Sequence, residues 1–160
     1  MDGHLNPFSR YYHSKIGLMQ VEANNAGVTS ISFVETRQKM ESAASHPIVE
    51  DCIVQLDEYF QGLRREFSIR LDPRGTDFQK KVWDCLLTIP YGQTISYHDI
   101  ATALGKPHAN QSVGNANGKN PVAIVIPCHR VLGKNGKLTG YAGGLWRKEW
   151  LLKHEGALIA

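Results

Sequence analysis

Apolar positions change their period about halfway along the chain, and the change divides it. In the first part the pattern is mainly that of strands. Residues 17–24 and 27–35 are rich in apolar and β-branched side chains, and Asn24-Asn25-Ala26-Gly27 between them suits a hairpin turn. Ile48, Cys52, Leu56, Tyr59 and Phe60 then fall at helical spacing, with Pro47 suited to a first helical turn. Phe67, Ile69 and Leu71 alternate and predict a further strand. Asp72-Pro73-Arg74-Gly75 reads as a linker.

Beyond the linker the pattern is helical. Thr76 and Gln79 form a capping box, and behind it Phe78, Val82, Cys85, Leu86 and Ile89 make one apolar face that Pro90-Tyr91-Gly92 ends. Ser96 with Asp99 opens a helix over 97–104, Gly105-Lys106-Pro107 turns, and another helix is expected over about 108–117. Two short helices around a glycine-containing turn fit a helix-turn-helix, although shape alone favours an ordinary helical corner. Gly143-Gly144 precedes a last helix over 145–154, with Gly156 just past its end. The expected fold is α/β (α+β). A small antiparallel sheet with a helix occupies 1–75, and a helical domain with the helix-turn-helix occupies 76–160.

The chain has 160 residues and a formal charge of +3. Residues 1–76 hold eight Lys/Arg against ten Asp/Glu, and residues 77–160 hold ten against five. The second half is therefore the basic one, through either a solvated surface or a site for a polyanion. No apolar run is long enough to span a membrane, and the first ten residues lack the basic-then-apolar order of a signal peptide. Cys52, Cys85 and Cys128 are far apart and odd in number, so no disulfide framework is expected and a cytoplasmic setting fits. Cys52 and Cys85 lie on apolar helix faces and are expected to be structural.

The third cysteine is different. Ile124-Val125-Ile126 reads as a buried strand, Pro127 ends it, and Cys128-His129-Arg130-Val131 follows. A cation beside a cysteine favours the thiolate, the form that attacks carbon. Taken alone, Cys128 reads equally well as a small core residue and His129 as a satisfied core histidine.

The surrounding fragments add to this. Phe78-Gln79, Val82-Trp83, Ile89-Pro90-Tyr91-Gly92, Ile95-Ser96-Tyr97, Asn120-Pro121, Ile126-Pro127-Cys128-His129-Arg130-Val131, Gly140-Tyr141-Ala142-Gly143-Gly144 and Lys148-Glu149-Trp150-Leu151-Leu152-Lys153-His154-Glu155-Gly156 occur in that order. In order and spacing, residues 76–157 closely resemble the O⁶-alkylguanine-DNA alkyltransferases, also called methylated-DNA–protein-cysteine methyltransferases. The first part resembles them in outline only.

The resemblance implies direct-reversal DNA repair. An alkylated guanine is flipped from the duplex, and its alkyl group passes irreversibly to Cys128 in a single turnover, with O⁴-alkylthymine as a second candidate substrate. By the same resemblance His129 is the base, acting through a water, Glu155 orients it, and Asn120 holds the turn that presents the thiol. The Tyr97 hydroxyl donates to the guanine ring edge and the Ala142 N–H to the alkylated oxygen. Carbonyls of Cys128 and Val131 accept from the exocyclic amine, and Tyr141 with Gly143 shapes the pocket. Ala109, Asn110, Gln111, Ser112 and Gly114 would lie in the minor groove, with Arg130 a further DNA contact. Where the family usually carries Arg-Ala-Val-Gly, this chain has Gln111-Ser112-Val113-Gly114. No cofactor is required, and Cys52, His4, His13 and His46 lack the spacing of the zinc site in some relatives. The partner is duplex DNA carrying the lesion, bound by a monomer and without a membrane. The alternatives are a lesion-binding protein without chemistry, which would lack the reactive cysteine, a DNA-binding sensor of alkylation, and a cysteine hydrolase, which would turn over.

Overall fold

The computed structural model describes residues 6–37, 40–41 and 46–159; His4 lies outside them. These residues form two compact units that divide between Arg74 and Gly75.

The first unit is an antiparallel sheet in the order β1 (Phe8–Ser14), β2 (Gly17–Ala23), β3 (Val28–Phe33), with helix α1 (Pro47–Phe60). The expected hairpin joins β2 to β3. The Asn24 side chain accepts from the N–H groups of Ala26 (2.7 Å) and Gly27 (3.0 Å), which makes the turn self-capping. β1 was not legible as a strand. Its buried positions are Ser9 and Tyr11, while Arg10 and Tyr12, on the face shared with Val21 and Met19, reach Glu50 and Asp57 of α1 instead of forming an apolar stripe. Val49, Cys52, Leu56, Tyr59 and Phe60 are the buried apolar face of α1.

The strand expected at 67–71 does not form. Only Leu71 bridges, in parallel, to Val28. The backbone of Ser68 is held by a side chain: its N–H donates to Gln55 Oε1 (2.9 Å) and its carbonyl accepts from Gln55 Nε2 (3.3 Å). With those groups occupied, no ladder propagates.

In the second unit α2 (Asp77–Leu86) starts at the Thr76/Gln79 box and buries Val82, Trp83 and Leu86, while Cys85 stays half-buried rather than internal. Trp83 Nε1 donates to the Ala116 carbonyl at 2.9 Å and so fastens α2 to α4 (Asn110–Gly118). Helix α3 (Tyr97–Ala103) opens on the Ser96/Asp99 box. It ends with Gly105 N–H on Thr102 O and Lys106 N–H on Ala101 O, a Schellman arrangement with Gly105 at φ 73°. Helix α4 begins two residues later than expected. Lys106–Ala109 forms its own turn, closed by the Ala109 N–H on Lys106 O, with Pro107 at the position where its fixed φ suits a turn.

The apolar run before the cysteine is buried but is not a strand. Ile126 N–H bonds to Val122 O (3.0 Å) and Ile124 sits at φ 72°. A short apolar run carries a burial signal without specifying conformation. Two residues on each side, β4 (Ile95–Ser96) and β5 (Val131–Leu132), pair in parallel. Helix α5 (Leu145–His154) closes with a second Schellman arrangement: Gly156 N–H to Lys153 O (3.0 Å) and Ala157 N–H to Leu152 O (2.8 Å). Glu155 is the residue at that cap. Among the described residues no helix is long and apolar enough to cross a membrane.

An added Cβ meets nothing within 4 Å at either Gly156 or Gly118, but only Gly156 has positive φ, at 78°. Gly156→Ala is therefore expected to destabilise the protein by about 1–2 kcal/mol. Gly118→Ala should stay within about 0.5 kcal/mol of the parent in chemical denaturation.

Candidate active site

Cys128, His129 and Arg130 occupy one 3₁₀ turn between the buried 122–126 turn and β5, and all three are buried. The turn before them is tied by Asn120, whose Nδ2 donates to Ile126 O (2.7 Å) while its Oδ1 accepts from the Val122 N–H (2.9 Å). Asn117, on the buried face of α4, donates from Nδ2 to the Cys128 carbonyl at 3.4 Å.

Behind the thiol lies a closed set of charges. His129 Nε2 is 2.8 Å from Glu155 Oε2, and a carboxylate there requires the ring proton on Nε2. Nδ1, the lone-pair nitrogen of that tautomer, is buried without a hydrogen-bond partner. Glu155 also accepts a fork from Arg130, Nε to Oε1 at 2.8 Å and a terminal nitrogen to Oε2 at 3.0 Å; the other terminal nitrogen donates to Ile89 O at 2.7 Å. Arg130 therefore corrects the expectation of a DNA contact. Its donors are committed inside the protein, and its charge is matched to Glu155.

The ionisation tendencies follow from this packing. Burial raises Glu155, but the hydrogen bond with His129 and the Arg130 fork override it and hold the carboxyl well below the usual range. Burial pushes His129 down and Glu155 pulls it back up, leaving it below its ordinary value and neutral. Burial raises the Cys128 thiol; an Asn120 hydrogen bond and the charge of Lys148 oppose this only in part. The neighbouring cations therefore favour the thiolate less than burial disfavours it, and the thiol lies above its ordinary value.

Lys148 was not foreseen. It is fully buried on α5, and its Nζ donates to Thr139 O (2.6 Å) and Gly140 O (3.3 Å). Burial lowers it to about 8, while Cys128 acts in the opposite direction. A signal existed: Lys148, Leu151, Leu152 and Glu155 share one helical stripe and are all buried. Two charges on the apolar side of a helix mark a place where burial is compensated by function or pairing.

The Tyr97 hydroxyl donates to the same Thr139 carbonyl (3.3 Å), so strap 139–141 is gripped from α3 and α5 together. The Tyr141 hydroxyl is buried without a partner, and burial raises its ionisation well above the usual. Val131 is buried in β5, Ala142 is exposed, and the Gly143 carbonyl accepts from Arg147 (2.9 Å). On α4, Asn110, Gln111 and Ser112 are exposed and Ala109 and Gly114 half-buried. A cleft of about 810 Å³ opens there, lined in part by Ser96, Tyr97, Asn110, Gln111, Gly114 and Lys134.

Two family models match the chain: "6-O-methylguanine DNA methyltransferase, DNA binding domain" over residues 77–157, and "6-O-methylguanine DNA methyltransferase, ribonuclease-like domain" over residues 8–73. A methylated-DNA–protein-cysteine methyltransferase of Methanosarcina barkeri is 46% identical over 146 residues, covering 89% of this chain and 92% of that one. One from Mycobacterium tuberculosis is 46% identical over 151 residues, covering 91% and 90%. The crystal structure of Mycobacterium tuberculosis O6-methylguanine methyltransferase superposes with a TM-score of 0.82 at 44% identity, covering 94% of this chain and 93% of that one. The Mycobacterium tuberculosis OGT structure in complex with DNA gives 0.85 at the same identity and coverage.

Lys148 supplies a pH test. Unfolded, it keeps its proton to about 10.5; folded, it gives it up near 8. Between those values the unfolded state binds the extra proton, so stability due to this group rises with pH. Wild type minus Lys148→Met in unfolding free energy should therefore increase from about pH 8 to about pH 10.5, as read by denaturant titration at each pH.

Proposed function

Because this chain belongs to the 6-O-methylguanine DNA methyltransferase family, we propose that Cys128 is the alkyl acceptor of a direct-reversal DNA repair reaction. The observation that carries the proposal is the buried series Cys128, His129, Glu155, with a free lone pair on His129 Nδ1. The target atom of O⁶-alkylguanine is hidden in the base stack, so the nucleotide leaves the duplex before reaction. A solvent molecule relays the thiol proton to Nδ1, and the imidazolium is held by Glu155. Sulfur attacks the alkyl carbon, a C–S bond forms and the C–O bond breaks. The electron pair stays on guanine O⁶, where Ala142 N–H and the Tyr97 hydroxyl stabilise the departing base. To do so Tyr97 exchanges its bond to Thr139 O for the ring edge. Cys128 and Val131 carbonyls accept from the exocyclic amine, and Tyr141 with Gly143 bounds the pocket.

The product is a thioether, which water does not cleave under mild conditions, so each molecule acts once. O⁴-alkylthymine presents the same alkyl–oxygen bond and is a second substrate class. The protein binds as a monomer in the cytoplasm, with α4 in the minor groove. Ala109, Asn110, Ser112 and Gly114 permit close approach there, and lysine and arginine side chains supply phosphate contacts. Gln111 fills the space of the flipped nucleotide with a shorter, neutral amide where relatives use an arginine.

After incubation with a duplex containing O⁶-methylguanine, the peptide bearing Cys128 should gain one methyl, about 14 Da. Cys128→Ser should bind the duplex and gain nothing; continued turnover would refute the proposal.

Gln111→Arg should speed transfer from the duplex more than transfer from free O⁶-benzylguanine, which needs no flipping. Equal acceleration of both, measured as single-turnover rates, would remove Gln111 from the flipping step.

A further inference from the structure

We infer that Arg130 is a positioning residue for alkyl transfer, gripping both oxygens of Glu155 so that the carboxylate is fixed against His129 while its charge is matched by the guanidinium. The inference rests on the function proposed above and assigns a role to the one residue of the Cys128–Arg130 turn that the reaction itself does not use.

The geometry supports it at three points. The guanidinium is anchored by Ile89 O at 2.7 Å, so the fork is aimed before Glu155 meets it. The fork bonds of 2.8 and 3.0 Å take one lone-pair site on each carboxylate oxygen. His129 takes another on Oε2 at 2.8 Å, and the Gly92 N–H approaches Oε1 at 3.4 Å. A carboxylate has about four such sites, so this one has no freedom to turn. The Tyr91 ring lies 5.8 Å from the guanidinium and covers it.

The charge consequence is specific. The charged groups that act on His129 are Glu155 and Lys148 on α5 and Arg130 on its own turn, where Cys128 is its chain neighbour. Glu155 alone favours protonated His129; Arg130 and Lys148 oppose it. A base that already holds a proton at neutral pH accepts none from the thiol. Arg130 lets Glu155 orient the ring without keeping it protonated.

The test compares Arg130→Met and Arg130→Lys with wild type. Single-turnover transfer from free O⁶-benzylguanine is followed across pH, with rates normalised to the Cys128 that can be alkylated. The His129 ring is titrated separately by NMR. In Arg130→Met the acid limb of the rate and the ring titration should both move up by about one pH unit, with the plateau rate down about tenfold. In Arg130→Lys the charge remains but the fork is lost. The limb should then stay at its wild-type position while the plateau falls severalfold. A purely structural arginine would lower the melting temperature and leave the acid limb and the ring titration in place. A folded Arg130→Met protein with unmoved limb and ring titration overturns the inference. If that variant does not fold, an Arg130→Lys protein matching wild type in plateau, or shifted in its limb, overturns it. Wild-type protein that takes no benzyl group on Cys128 refutes the underlying function instead.

Discussion

A carboxylate with no access to water has to be neutralised where it stands, and Glu155 is such a group. Its side chain is fully enclosed, so its ionised form depends on the hydrogen bonds and charges that surround it. Arg130 brings the charge, neutral His129 adds a hydrogen bond, and the Ile89 carbonyl takes a further Arg130 donor. Three segments remote in sequence are thereby bound together: the turn after α2 at Ile89, the 3₁₀ turn at Cys128 and the cap of α5. Removing one partner would leave another buried charge uncompensated, which is more costly than never having buried the pair.

The thiol is buried next to this network, and the same low-polarity surroundings act on it in the other direction. A thiolate there would be poorly solvated, so Cys128 rests protonated. In the reaction proposed above, the nucleophile is then generated on demand, and a buried thiol is shielded from chance electrophiles between encounters. Lys148 moderates the effect from the far side. Its ammonium fixes the Thr139 and Gly140 carbonyls, which gives strap 139–141 a defined position relative to Tyr97.

Much of this was legible in the sequence because local chemistry specifies it. Thr76 with Gln79 and Ser96 with Asp99 start their helices as read, and Gly156 ends α5, since a cap needs only residues a few positions apart. What was missed depends on partners distant along the chain. Phe67, Ile69 and Leu71 alternate as a strand would, but Gln55 on α1 takes the backbone of Ser68. Ile124 carries a β-branched side chain at positive φ, which propensity argues against and which the buried turn imposes. Arg130 looked like a surface cation because nothing local in Pro-Cys-His-Arg reveals a carboxylate 25 residues later. The residue types at the site were readable from a resemblance. Which charges cancel which was not.

That separation along the chain also bears on how the site comes into being. Cys128, His129 and Arg130 leave the ribosome well before Glu155, and the contacts joining them span 25 and 26 residues. Until α5 has formed, ended at Gly156 and docked, His129 has no acid to orient it and Arg130 no counter-charge. The thiol therefore passes through synthesis before the His129–Glu155 contact exists. Reactivity arrives only with the last helix, in the same step that closes the second unit's charge network. For the single-use acceptor proposed above, assembling these partners last keeps that one reaction for the folded molecule.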